Sequence, residues 1–153
     1  MMQSFPWLDD PKTKRLAAIF PPGTLRFVGG CVRDSLLGKP VRDIDAATTL
    51  APDAVMALLT QANINAIPTG IAHGTITAVA DGKSFEITTL RKDMVTDGRH
   101  AEVLFTEDWK ADAQRRDFTM NALYVSPEGE LFDYFGGEAD ARKIGRASCR
   151  ERV

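Results

Sequence analysis

Residues 74 to 91, GTITAVADGKSFEITTLR, hold two segments of alternating apolar and polar residues joined by Asp81-Gly82. Side chains on a strand point to opposite faces in turn, and Asp-Gly supplies the backbone that a tight turn needs. The stretch therefore predicts a β-hairpin with one face in a core, the second half of a sheet. Such a sheet needs more strands beside it and helices over its apolar face.

The rest of the chain offers them. Asp10 and Pro11 have the N-cap and first-turn chemistry of a helix over Pro11–Phe20, which FPPG ends. TLRFVGG reads as a strand entering a glycine turn, CVRDSLLG as a short helix closed by Gly38, and VRDIDAATT as a second, β-branched strand. Pro52 opens a helix with Val55, Leu58 and Leu59 on one face. From Arg91 to about Thr106 the sequence is polar and weakly periodic, and reads as a long loop of the kind that carries function. EDWKADAQRR is a helix with an acidic start and a basic end; Asp117 then N-caps DFTMNALYV, which passes into a strand, and SPEGE turns the chain into LFDYF.

With 153 residues, 44% hydrophobic and 26% charged, the chain has the composition of one ordinary globular domain. No apolar run approaches the roughly 18 residues of a membrane span, and MMQSFPWLDDPK lacks a secretory pattern, so the expected compartment is the cytoplasm, with no membrane partner. A net charge of -2 argues against gripping nucleic acid by bulk electrostatics. Cys31 and Cys149 are too few for a metal site, and no disulfide is expected. His73 and His100 lack ligand partners, Met56, Met94 and Met120 read as packing, and Trp109 is expected to pack the helix that presents Arg115. KIGRASCRERV breaks with what precedes it: Ile144 to Val153, back-translated, is similar to a short-read sequencing adapter read in frame. The expectation is a head domain over residues 1–143, a non-native tail over 144–153, and a natural chain that continues past about Lys143.

Asp43 and Asp45 stand at i and i+2, so they project from one face of a strand while Ile44 enters the core. Two adjacent carboxylates repel unless a cation neutralises them, and hard oxygen ligands of this kind suit Mg²⁺ together with substrate phosphates. A lone D-x-D is more often an acidic exposed face. Its context is Gly29-Gly30 at the end of the preceding strand, where absent Cβ atoms let backbone N–H groups approach an anion, and Arg33 one turn on, suited to phosphate. Taken singly, these would be a tight turn and a surface ion pair of Arg33 with Asp34. Together they point to a metal-bound nucleoside triphosphate. The Rossmann and P-loop glycine patterns are absent.

FVGGCVRDSLLGKPVRDIDAATT, EITTLRKDMVTDGRHAEVLFTEDWKADA and AQRRDFTMNAL together resemble the bacterial and eukaryotic tRNA nucleotidyltransferases, the CCA-adding enzymes, and the related bacterial poly(A) polymerases. The resemblance covers Thr24 to about Arg142. It implies an α+β palm of the DNA polymerase beta type: a small mixed or antiparallel sheet with flanking helices. It further implies catalytic Mg²⁺ held by Asp43 and Asp45, with Glu86 as a third carboxylate, and triphosphate contacts from Gly29, Gly30 and Arg33. Arg115, Arg116, Asp117 and Asn121 match the motif that contacts the incoming nucleotide, and Arg91, Asp97 and Arg99 fall in a flexible element that helps position it. ATP, CTP and the tRNA 3' end are the implied partners. The choice between C and A, and most of the grip on tRNA, belong in this family to helical domains beyond the palm. The chain alone is thus expected to bind nucleotide weakly and to add little or no ordered CCA. Competing readings are a poly(A) polymerase, an inactive nucleotide-binding fragment, and a small-molecule nucleotidyltransferase of the antibiotic-modifying type; RRDFTMNAL weighs against the last.

Overall fold

The computed structural model describes residues 5–41, 43–70, 73–80, 82–96, 100–116 and 118–143, with side chains outside 94–103. Helix α1 (Pro11–Ala18) starts at the expected place, Asp10 accepting a hydrogen bond from the Lys12 amide at 2.9 Å, and ends two residues before Phe20. β1 (Leu25–Val28), α2 (Gly30–Leu36), β2 (Ile44–Thr48) and α3 (Pro52–Gln61) follow. Next come β3 (Asn65–Gly70), β4 (Thr75–Ala80), β5 (Lys83–Thr89), β6 (Arg91–Thr96) and β7 (His100–Phe105). α4 (Trp109–Gln114), β8 (Leu123–Val125), β9 (Leu131–Asp133) and a helical segment over 137–143 complete the described chain.

Seven strands form one mixed sheet in the order β3-β4-β5-β2-β1-β8-β9. All neighbours are antiparallel except β2 and β5, which run parallel because α3 and the β3–β4 pair lie between them in sequence. The β4–β5 pairing is the hairpin expected at Asp81-Gly82. One face of the sheet carries Phe27, Ile44, Phe85 and Ile87, packed with Leu16 of α1, Val32 of α2 and Val55 and Leu59 of α3. This is the main core. A smaller cluster of Val28, Ala47, Leu90, Ala113, Ala122 and Tyr124 lies on the opposite face, beneath α4. There the Arg26 guanidinium sits 4.3 Å from the Trp109 ring centre and 3.5 Å from that of Phe132, and donates to the Tyr134 hydroxyl at 2.7 Å. Among the described residues no helix is long and apolar enough to cross a membrane.

Three expectations change. The Arg91–Thr106 stretch is a hairpin, not a loop: β6 and β7 pair in register from Arg91↔Phe105 to Thr96↔His100 as a separate two-stranded ribbon. Its pairing is made by backbone hydrogen bonds, which need no apolar period. β3 was not anticipated, since Asn65–Gly70 is mostly exposed and contains Pro68; an edge strand tolerates both. The turn before β8 is a short 3-10 segment, Thr119–Asn121, with Phe118 rather than an aspartate at its N-cap position; Asp117 lies outside the described residues.

Candidate functional site

Asp43 lies just ahead of β2 and Asp45 within it, both exposed, and Ile44 between them is 2% exposed in the main core. The parallel register places Glu86 of β5 directly beside Asp45, so the third carboxylate faces the pair from the neighbouring strand. The carboxyl of Asp45 is pushed above its ordinary value by desolvation from the protein around it, then by the charges of Glu86 and Asp43, against the opposing pull of Arg116. Among the described residues no three His, Cys, Asp or Glu side chains converge into a ready-made metal cage. The carboxylates are close enough to repel one another without being drawn together. Hard oxygen donors whose mutual repulsion a cation would relieve are the donor set a divalent ion such as Mg²⁺ takes.

A cleft of about 320 Å³ beside them is lined by Gly30, Arg33, Asp43 and Asp45, with Cys31 and Pro40 among the remaining walls. Gly29 caps α2 at φ 82°, ψ -134°, a conformation open to glycine. Gly30 serves differently: a Cβ there would come within 3.3 Å of the Arg33 guanidinium, which folds back over the turn. Arg33 pairs with Asp34 at 3.1 Å, and also donates to the Asn121 side-chain oxygen at 3.0 Å, across 88 residues of sequence. Cys31 beneath the cleft is buried, and burial pushes its thiol up to about 11. A second cavity of about 330 Å³ lies between α1 and Pro127, lined by Leu8, Phe20 and Leu25 together with Thr13, Lys14 and Glu128, and offers no pair of carboxylates.

The two adjacent arginines part company. Arg116 turns inward, bonding Asp112 through two guanidinium nitrogens at 3.1 and 3.3 Å and reaching the Asn121 carbonyl at 3.5 Å. Burial disfavours its charge, but Asp112 and Tyr124 outweigh this and hold its pKa above the ordinary value. Arg115 instead faces the β6–β7 ribbon, 3.9 Å from Asp93, in a cleft shared with Lys92 and Gln114. Arg91, at the start of the ribbon, is half-buried; desolvation and then the Arg115 charge lower its pKa. The buried Nε atoms of Arg91 and Arg115 have no hydrogen-bond partner.

Asp112, 2% exposed, is the residue that sequence reasoning missed. It accepts from Arg116, from the Tyr124 hydroxyl at 2.6 Å and from the Arg91 amide at 3.0 Å. Its only sequence signal was its place four residues before Arg116, which lies just past the end of α4. Asp97, Arg99 and Asp117 lie outside the described residues, as does the side chain of His100; His73 is exposed.

The sheet thus joins a helix-covered apolar face to a face where a smaller apolar cluster borders neighbouring carboxylates. Residues 25–144 match the family model for the poly A polymerase head domain, and the chain belongs to that family. It is 51% identical over 132 residues to the human protein "CCA tRNA nucleotidyltransferase 1, mitochondrial", covering 82% of this chain and 30% of that protein. The zebrafish (Danio rerio) protein of the same name is 43% identical over 158 residues, covering 91% and 37%. The CCA-adding enzyme of Anoxybacillus flavithermus is 46% identical over 113 residues, covering 72% and 28%. Among solved structures, the Bacillus stearothermophilus CCA-adding enzyme in complex with CTP superposes with a TM-score of 0.71 at 38% identity, over 87% of this chain and 32% of that one. A tRNA nucleotidyltransferase complexed with a primer tRNA and an incoming ATP analog gives 0.60 at 32% identity, over 78% and 33%. The chain thus spans about a third of the length of the relatives it matches.

Proposed function

We propose that this chain is the catalytic head of a metal-dependent, template-independent RNA nucleotidyltransferase, which transfers CMP and AMP from CTP and ATP to the 3' end of tRNA and releases pyrophosphate. One observation carries this reading: Asp45 and Glu86 are paired across parallel strands, and Asp43 and Asp45 share a cleft with Gly30 and Arg33. The names of the relatives give the substrate class. Asp43 and Asp45 would hold Mg²⁺, with Glu86 beside them. The ion's chemistry, when bound, is to acidify the attacking 3'-hydroxyl and to neutralise charge on the leaving phosphates. In the proposal Arg33 and the backbone at Gly29-Gly30 bind the triphosphate, while Asn121 orients Arg33 and borders the nucleotide. Arg116 balances the carboxylates. Arg115 and Arg91 supply positive charge on the ribbon side, together with Arg99; Asp97 and Asp117 complete the set taken from the family motifs. Ordered selection of C and A, and the grip on tRNA, fall to segments beyond this chain.

Isothermal titration calorimetry with Mg-ATP and Mg-CTP tests the reading. Weak binding of both nucleotides is expected for the wild type, and none for Asp43→Ala at concentrations that saturate the wild type. Equal binding by the two proteins would sink it. Ordered C, C, A addition by these residues alone, onto a tRNA ending at its discriminator base, would overturn the division of labour. A full-length protein that accepts ATP and refuses CTP would make the chain the head of a poly(A) polymerase, the enzyme that gives the family its name.

A further inference from the structure

We infer that Asp112 is a positioning residue that couples the base of the β6–β7 ribbon to the nucleotide site, by holding the Arg91 amide with one carboxylate oxygen and Arg116 with the other. The inference rests on the nucleotide-binding reading above and extends it. Asp112 Oδ1 accepts from the Arg91 amide at 3.0 Å, at the first residue of β6. Asp112 Oδ2 accepts from the Tyr124 hydroxyl at 2.6 Å and from Arg116 at 3.1 and 3.3 Å. One buried carboxylate therefore joins three elements: α4 that carries it, β8 through Tyr124, and the ribbon. A carboxylate 2% exposed is costly unless its lone pairs are filled, so the arrangement holds as a set.

Two further contacts give the coupling a direction. Arg116 reaches the Asn121 carbonyl at 3.5 Å, and the Asn121 side chain accepts from Arg33 at 3.0 Å, so a line of hydrogen bonds runs from the ribbon to the cleft that holds Asp43 and Asp45. The base of the ribbon is also tied by the Leu90 amide to the Thr48 carbonyl at 2.9 Å, by Arg115 to Asp93 at 3.9 Å, by the Thr106 amide to the Leu90 carbonyl at 2.8 Å and by the Phe105 ring lying against Gly74, where a Cβ would meet it at 2.6 Å. The last two contacts hold the ribbon's exit strand, and the first two flank the start of its entry strand. The entry strand depends on Asp112 for its first amide. Rotating the ribbon about its base would thus pull on the carboxylate that orients Arg116.

Hydrogen exchange of individual amides, combined with Mg-ATP titration, tests this with the wild type, Asp112→Asn and Tyr124→Phe. In Asp112→Asn the neutral amide loses its grip on Arg116, and exchange of the Arg91 amide should quicken tenfold or more, while amides of β1, β2 and β5 keep their wild-type rates. Its affinity for Mg-ATP should fall about tenfold at a temperature where the fold is intact. Tyr124→Phe removes one bond and should shift both readouts the same way by a smaller factor, which decides the matter if the asparagine variant does not fold. Unchanged exchange at Arg91, or unchanged affinity in a folded Asp112→Asn protein, would overturn the inference, since a purely structural carboxylate would lower the stability of all strands together. A wild type that binds no Mg-ATP would instead bring down the nucleotide-binding reading and the coupling with it, while exchange at Arg91 would still decide whether Asp112 pins the ribbon.

Discussion

The two faces of the seven-stranded sheet are built from the same strands and differ in chemistry: one is the main core, the other joins a smaller apolar cluster under α4 to a patch of carboxylates. On β2, Ile44 and Ala46 enter the helix-covered core while Asp45 stands on the other side; on β5, Phe85 and Ile87 do the same and Glu86 faces Asp45. The main core rewards shape throughout, and the other face does so only under α4. Asp45, placed beside Asp43 and Glu86, works against the fold that holds it, and is tolerated because the opposite face supplies the burial.

Substitutions on the two faces should therefore differ in sign. Phe85→Ala, in a position 0% exposed, should cost about 3–5 kcal/mol, read as a lower urea midpoint; a loss near zero would break the contrast. Gly137→Ala comes next, because its Cβ would lie 2.0 Å from the Thr119 carbonyl oxygen. About 1–3 kcal/mol of destabilisation is expected, with displacement of the turn that carries Asn121 visible in its amide chemical shift. Asp45→Asn should go the other way. An acid whose pKa is raised by folding contributes most when protonated, at low pH, and that contribution is lost as pH rises through the folded value. At neutral pH the wild type thus bears a charge its surroundings disfavour. The asparagine protein should melt about a degree or two higher without metal, a small gain because the site is exposed, and Mg²⁺ should raise the midpoint of the wild type but not of the variant. The smallest effect belongs to Cys31: with its thiol held at about 11 and buried, it should resist alkylation near pH 7.5 and react only on unfolding, as mass spectrometry would show.

What the sequence disclosed follows the same division. Period-two alternation announced β2, β4 and β5, and the Asp43-Ile44-Asp45 spacing announced which side each residue would take, because these are local consequences of strand geometry. The place of Glu86 beside Asp45 depended on a parallel pairing of strands some forty residues apart, and only the resemblance to a family suggested it in advance. The ribbon was hidden because its two strands lie off the main sheet and so carry no apolar rhythm. Asp112 was hidden for another reason. On a short helix it looks like one more acidic residue of the first turn, and its partners Arg91 and Tyr124 stand 21 and 12 residues away. The link between Arg33 and Asn121, 88 residues apart, is likewise a product of tertiary closure.

The tryptophans divide between the same two faces. Trp7 packs edge-on against Phe27 at 5.1 Å and donates to the Ser35 hydroxyl at 2.7 Å, on the helix side. Trp109 lies under the Arg26 guanidinium and 5.5 Å from Tyr124, on the charged side. Each indole is thus an optical probe of one layer. Replacing either with phenylalanine would leave a protein whose fluorescence follows a single face, so that events in the cluster under α4 could be watched separately from melting of the core beneath Trp7.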